Sequence, residues 1–152
     1  MTGLDEARPT RRNDERTVAG RHRMMRRADR EVTDCEQIEG IVAACRIVHV
    51  GYADAEGLTI VPLNFGYEWQ QDGDAGTGDE LAGLTLYIHS ASIGRKLDAI
   101  RAAGNALDVA FSMETDCEVI AGRTPCNWGE AFKSVIGNGV ASVIDDLDEC
   151  RK

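Results

Sequence analysis

The stretch richest in chemistry is His89-Ser90-Ala91-Ser92-Ile93-Gly94-Arg95-Lys96. It reads as the end of a strand, a short Ser-rich turn and the first turn of a helix. A helix start carries free amides and the positive end of the dipole, so acids are favoured there. This one carries two adjacent cations, Arg95 and Lys96. The placement costs roughly a few tenths of a kcal/mol per exposed charge and turns favourable when an anion sits beside it. Ser hydroxyls, free amides, an Arg fork and a Lys point charge together suit a phosphate. A solvated charged helix face accounts for the same residue types, and both readings stand at this point.

His89 ends its strand on the face away from the core, next to that cluster. A neutral imidazole there can position a ligand or move a proton near neutral pH. His22 and His49 lack such a context and read as structural or solvent-facing. The three His and five Cys show no metal spacing, so no metal site is expected. No Ser-His-Asp order and no motif around a Cys nucleophile is present. Cys126, before Trp128, is a candidate for packing or an interface only. Gly137-Asn138-Gly139 lacks the third Gly and the following helix of a dinucleotide fingerprint.

The elements that must position these residues follow from periodicity. Thr33 or Asp34 can cap a helix starting near Cys35, with Ile38, Ile41, Val42 and Cys45 on one face. Residues 46–53 read as a strand and Asp54 to Gly57 as a turn. Residues 58–69 alternate, with Val61, Leu63, Phe65, Tyr67 and Trp69 on one face and Pro62, Asn64, Gly66 and Glu68 on the other. Pro62 removes an amide from the ladder and marks an edge, a bulge or a ligand-facing break. Residues 70–83 form a Gly- and Asp-rich loop joining two strands of a hairpin. Asp72 and Asp74 open like a calcium loop, but Thr77 and Gly83 stand where Gly and Glu are needed.

Residues 84–90 are a strand with Leu84, Leu86 and Ile88 inward. A helix is expected from Ile93 to Ala103, with Ile93, Leu97 and Ile100 on its apolar stripe. Residues 107–114 alternate again, 115–130 read as irregular, and 132–144 form a long strand apolar on both faces. Such a strand suits a barrel wall that also meets a second subunit. The order favours a mainly β fold with a few helices, a small antiparallel barrel rather than a doubly wound sheet.

The chain has 152 residues and a formal net charge of −9. That is one domain's length. No apolar run approaches the ~20 residues of a membrane span, and no secretory signal is apparent. The odd, unpaired cysteines fit reduced thiols in a cytoplasm. Residues 1–30 carry nine Arg and five acids, a net +4, while the remainder carries −13. Residues 1–23 read as a disordered Arg-rich leader, with the ordered domain spanning 24–152. Asp14 and Glu15 interrupt the leader and the acidic body repels phosphate backbones, which argues against nucleic-acid binding.

From these residues the chain resembles the pyridoxamine 5′-phosphate oxidase-like flavoproteins with an FMN-binding split barrel. Within them it is most similar to the 5-nitroimidazole-resistance (Nim-type) branch. The matching stretches are MRRADREVTD (25–34), VPLNFGYEW (61–69), LYIHSASIGRKLDAIR (86–101), TPCNW (124–128) and KSVIGNGVASVI (133–144). The resemblance implies a six-stranded antiparallel split β-barrel that forms a homodimer, with FMN in clefts at the subunit interface.

By position it implies that Val61, Pro62, Leu63 and Asn64 lie along the flavin and turn backbone amides toward it. His89 and Ser90 would sit near the flavin, and Arg95 and Lys96 would hold its phosphate. Ser134 would contribute from the same site or across the dimer. It also implies that His89 occupies the reactive position. Three departures from the family are the longer 70–83 loop, the 1–23 extension and an end at Lys152 where relatives continue.

Two functions follow. The first is an FMN-dependent oxidoreductase acting on a small molecule, such as a nitro compound or a pyridoxamine-phosphate-like substrate. The second is a non-catalytic flavin- or haem-binding module or sensor, since the fold also takes haem, F420 or FAD. The phosphate-type cluster at 90–96 favours FMN.

Overall fold

The computed structural model describes residues 26–70 and 83–144. The leader, the Asp72/Asp74 loop and the residues after Ile144 lie outside the described residues. So does His22.

Helix α1 (Cys35–Ala44) starts where a helix start is written in the sequence. The Asp34 carboxylate accepts the Gln37 amide at 2.9 Å, which satisfies one of the free amides of the first turn. Its apolar stripe, Ile38, Ile41 and Val42, is buried, as is Cys45 just beyond its end. Burial pushes the Cys45 thiol up, with the nearby carboxylates of Glu114 and Asp116 adding to the effect.

Six strands follow: β1 (Val48–Asp54), β2 (Gly57–Leu63), β3 (Gly66–Trp69), β4 (Leu84–Tyr87), β5 (Leu107–Ile120) and β6 (Gly129–Ala141), with helix α2 (Arg95–Ala102) between β4 and β5. They form a four-stranded sheet in the order β2-β1-β5-β6 and a two-stranded sheet β3-β4, all pairs antiparallel. This is the small antiparallel barrel expected from the strand order, in the six-stranded split form that the resemblance implies.

The division between the sheets falls inside the alternating stretch 58–69, at Asn64-Phe65. The alternation itself runs straight through the break. Val61, Leu63, Phe65, Tyr67 and Trp69 all pack on the core of Val42, Val48, Val50, Met113 and Val135, while Pro62, Asn64, Gly66 and Glu68 are exposed. Pro62 sits on β2, an edge strand, where its missing amide breaks no ladder. Gly57 closes the β1–β2 hairpin with φ 107°, a conformation that is strained for any side chain.

Three expectations need correction. Ile93 is 81% exposed and precedes α2, whose buried residues are Leu97, Ala99 and Ile100. Residues 115–120 are strand, not irregular. A register shift between Thr115 and Glu118, with Asp116 at φ 54°, lets β5 continue along β6 to Ile120. The long strand begins at Gly129 rather than 132, and only one of its faces is covered in the single chain. Val135 is buried, whereas Phe132, Ile136 and Val140 are exposed on the opposite face.

The far end of α2 is tied to the end of β6. Asn105, at φ 64°, accepts the Val143 amide at 2.7 Å and donates to the Val143 carbonyl at 3.1 Å. This bracket holds the helix that carries Arg95 and Lys96 against Tyr52 and Leu107.

Candidate functional site

The β4 strand delivers the chain to the surface at Ile88, and His89 and Ser90 follow in exposed, irregular backbone. In the β3–β4 ladder Gly66 stands opposite Tyr87. That is the last pair of the ladder, so the VPLN segment before Gly66 and the HSA segment after Tyr87 both run off the same edge of the small sheet. Val61 and Leu63 turn their side chains inward, so only their backbone remains for a ligand. Pro62 and Asn64 face outward. The Asn64 side-chain amide donates to the Arg46 carbonyl at 3.4 Å.

Gly94 precedes α2 with φ 128° and ψ 166°, backbone open to glycine but strained for other residues, and no side chain among the described residues caps the helix. That geometry puts Arg95 and Lys96 into the first turn. The two cations then differ in kind. Arg95 donates through Nε and Nη2 to the two Asp54 carboxylate oxygens, each at 2.7 Å, and through Nη2 to the Gly57 carbonyl at 3.1 Å. Glu56 lies 3.8 Å from Nε. The guanidinium holds the Asp54 carboxyl below the usual carboxylate range. In return, Asp54 raises the pKa of Arg95 further above its already high value.

Lys96 is half-buried and has no acidic partner among the described residues. Desolvation pushes its ammonium below the ordinary lysine range. A partly desolvated cation with no acidic partner among the described residues, beside the free amides of a helix start, is a favourable seat for an anion. Arg95 retains the two N–H groups of Nη1, unbonded among the described residues, for the same anion. The residue set therefore fits a phosphomonoester.

Ser134 is not brought to this cluster by its own chain. It stands opposite Glu114 on the outward face of β6, past the His49↔Ser112 pairing and away from Asp54. Some seven strand residues separate the two levels, on the order of 20 Å at the usual strand rise. Ser134 instead lines a shallow depression of about 430 Å³ with Ser112, Glu114, Phe132 and Ile136.

His49, read as structural or solvent-facing, lies on this outward face, with Nδ1 3.8 Å from Glu114. The same face carries Leu58 (88% exposed), Ile60, Phe132, Ile136 and Val140, a run of large apolar side chains open to solvent.

Sequence reasoning missed Asp54, which looked like an ordinary turn residue. Its partner Arg95 is 41 residues away, and no local pattern joins the two.

No helix among the described residues is long and apolar enough to cross a membrane. Residues 34–152 match the sequence profile described as pyridoxamine 5′-phosphate oxidase. Among solved structures, the chain matches the flavocytochrome Anf3 from Azotobacter vinelandii with a TM-score of 0.55 and 22% identity, over 79% of this chain and 50% of that one. It thus spans half the length of that protein. A comparison with curated protein sequences found no match.

Proposed function

We propose, for a chain that belongs to the pyridoxamine 5′-phosphate oxidase family, that it binds FMN and works as a flavin-dependent oxidoreductase on a small acceptor. The observation that carries this reading is the Arg95/Lys96 pair at the start of α2: one cation fixed in orientation, the other with neither an acidic partner nor a side-chain helix cap beside it among the described residues. The family match supports a flavin as the phosphate's bearer. So does the name of the structural neighbour, a flavocytochrome.

FMN, when bound, supplies the electron transfer, and the protein supplies orientation, electrostatics and access. Arg95 and Lys96 hold the phosphate. Ser90 and the backbone from Val61 to Asn64 line the cofactor. His89, exposed just beyond the end of β4, positions the acceptor or delivers a proton to it from its imidazole. A nitro group is a suitable acceptor, as in the Nim-type branch, because its reduction consumes protons.

The functional form is a homodimer. Leu58, Ile60, Phe132, Ile136 and Val140 make a run of apolar side chains open to water on one sheet face, the kind of surface that marks an interaction site. A second copy covers it and brings its Ser134 toward the first copy's cluster. The test is anaerobic reduction of the flavin-loaded protein. Bleaching by NADH or NADPH, followed by reoxidation with a nitro acceptor, supports the enzyme. No reduction by either donor supports a non-catalytic flavin module. A Soret band in the purified protein favours haem over FMN.

A further inference from the structure

We propose that Asp54 is a positioning residue for the cofactor phosphate, acting through Arg95; this rests on the reading that Arg95 and Lys96 hold that phosphate. The Asp54 side chain is 12% exposed against 36% for Arg95, so the carboxylate forms the inner side of the pair. It takes Nε and one N–H of Nη2, and the Gly57 carbonyl takes the other N–H of Nη2. Three of five donors are thereby used. The two remaining N–H groups, both on Nη1, are held in one direction.

Asp54 is itself held. One of its oxygens accepts the Glu56 amide at 2.8 Å, so the carboxylate belongs to the β1–β2 turn. The fork is therefore referenced to the large sheet, not only to the helix that bears Arg95. A free arginine loses rotamer freedom when an anion fixes it. Here folding has already fixed it.

The pairing also divides labour. Asp54 offsets the charge of Arg95, and Glu56 lies close by. The attraction for a dianion then comes mainly from Lys96, and Arg95 contributes direction. Loss of Asp54 releases the fork while adding net positive charge. Positioning and charge therefore predict opposite signs for Asp54→Asn, which makes the question decidable.

The experiment is titration of the full-length protein with FMN and with riboflavin, which differ only in the phosphate. Wild type, Asp54→Asn, Arg95→Lys and the double variant are compared by quenching of flavin fluorescence. Asp54→Ser, which keeps a turn acceptor, replaces Asp54→Asn should the latter not fold. Wild type is expected to prefer FMN. Asp54→Asn is expected to lose about tenfold of that preference with riboflavin unchanged, and to lose nothing further once Arg95 is Lys.

An unchanged or increased FMN preference in Asp54→Asn overturns the positioning role. So does an equal fall for both flavins, which marks a purely structural turn residue. So does a loss that persists in full on the Arg95→Lys background. Wild type binding both flavins equally, or neither, overturns the underlying phosphate reading and this role with it.

Discussion

Arg95 and Asp54 form a two-point ion pair, 2.7 Å at each contact, between the first residue of α2 and the last residue of β1. The neighbouring Lys96 has no such partner among the described residues. One helix start thus carries a cation already neutralised and a cation waiting for an anion. This asymmetry separates the site from a plain charged helix face, which was the competing reading of the same residues.

Lys96 gives the first prediction. Its folded pKa is depressed by desolvation, so the charged form is penalised in the folded protein. That penalty is full below the folded pKa and fades as pH rises toward the unfolded lysine value. A phosphate beside Lys96 opposes the depression. FMN affinity should therefore fall as pH rises through the pKa of free Lys96, with riboflavin affinity flat over the same range. Lys96→Met should abolish the difference between the two pH profiles.

How much of this was legible in the sequence depended on the range of the interaction. The period-2 run from Val61 to Trp69 announced its buried face, and the structure keeps that face across the break between sheets. The Asp34 cap was equally local. The extent of β5 was hidden, because Asp116 and Glu118 do not look like strand. They are held in strand by pairing with β6 around a bulge. The Asp54–Arg95 pair was hidden for the same reason, since tertiary folding alone brings a turn acid to a helix start. The separation of Ser134 from Arg95 within one chain followed only from the register.

His89 gives a second prediction. Its position after β4 makes no contribution to the core. His89→Ala should leave FMN occupancy within about twofold but slow reoxidation by a nitro acceptor. Stopped-flow reoxidation of the reduced protein measures it. Unchanged rates with every acceptor would make His89 a bystander.

The bracket at Asn105 gives a third. Asn105→Gly keeps the positive φ and deletes both bonds to Val143. The expected cost is about 1–2 kcal/mol, read as a lower urea midpoint with an unchanged m-value. Asn105→Ala should cost more, because it adds backbone strain.

A fourth concerns the apolar face of β6. Ile136→Asp places a charge where the second copy is expected to pack, with 72% of the residue exposed in the single chain. Burial of one such side chain is worth about 1.5–3 kcal/mol, so the dimer dissociation constant should rise by at least about tenfold. Sedimentation velocity on both proteins at matched concentration reads the shift. A wild-type protein that sediments as a monomer throughout would remove the homodimer from the account.

The most direct test of the central claim is a flavin titration of the wild type beside the Arg95→Ala/Lys96→Ala double variant, with circular dichroism confirming that both are folded. The wild type is expected to be yellow and to bind one FMN per chain. The double variant is expected to lose FMN affinity by about a hundredfold or more, through the loss of two charge-assisted contacts. Full FMN occupancy in the folded double variant, or a wild type that binds no flavin, would contradict the claim.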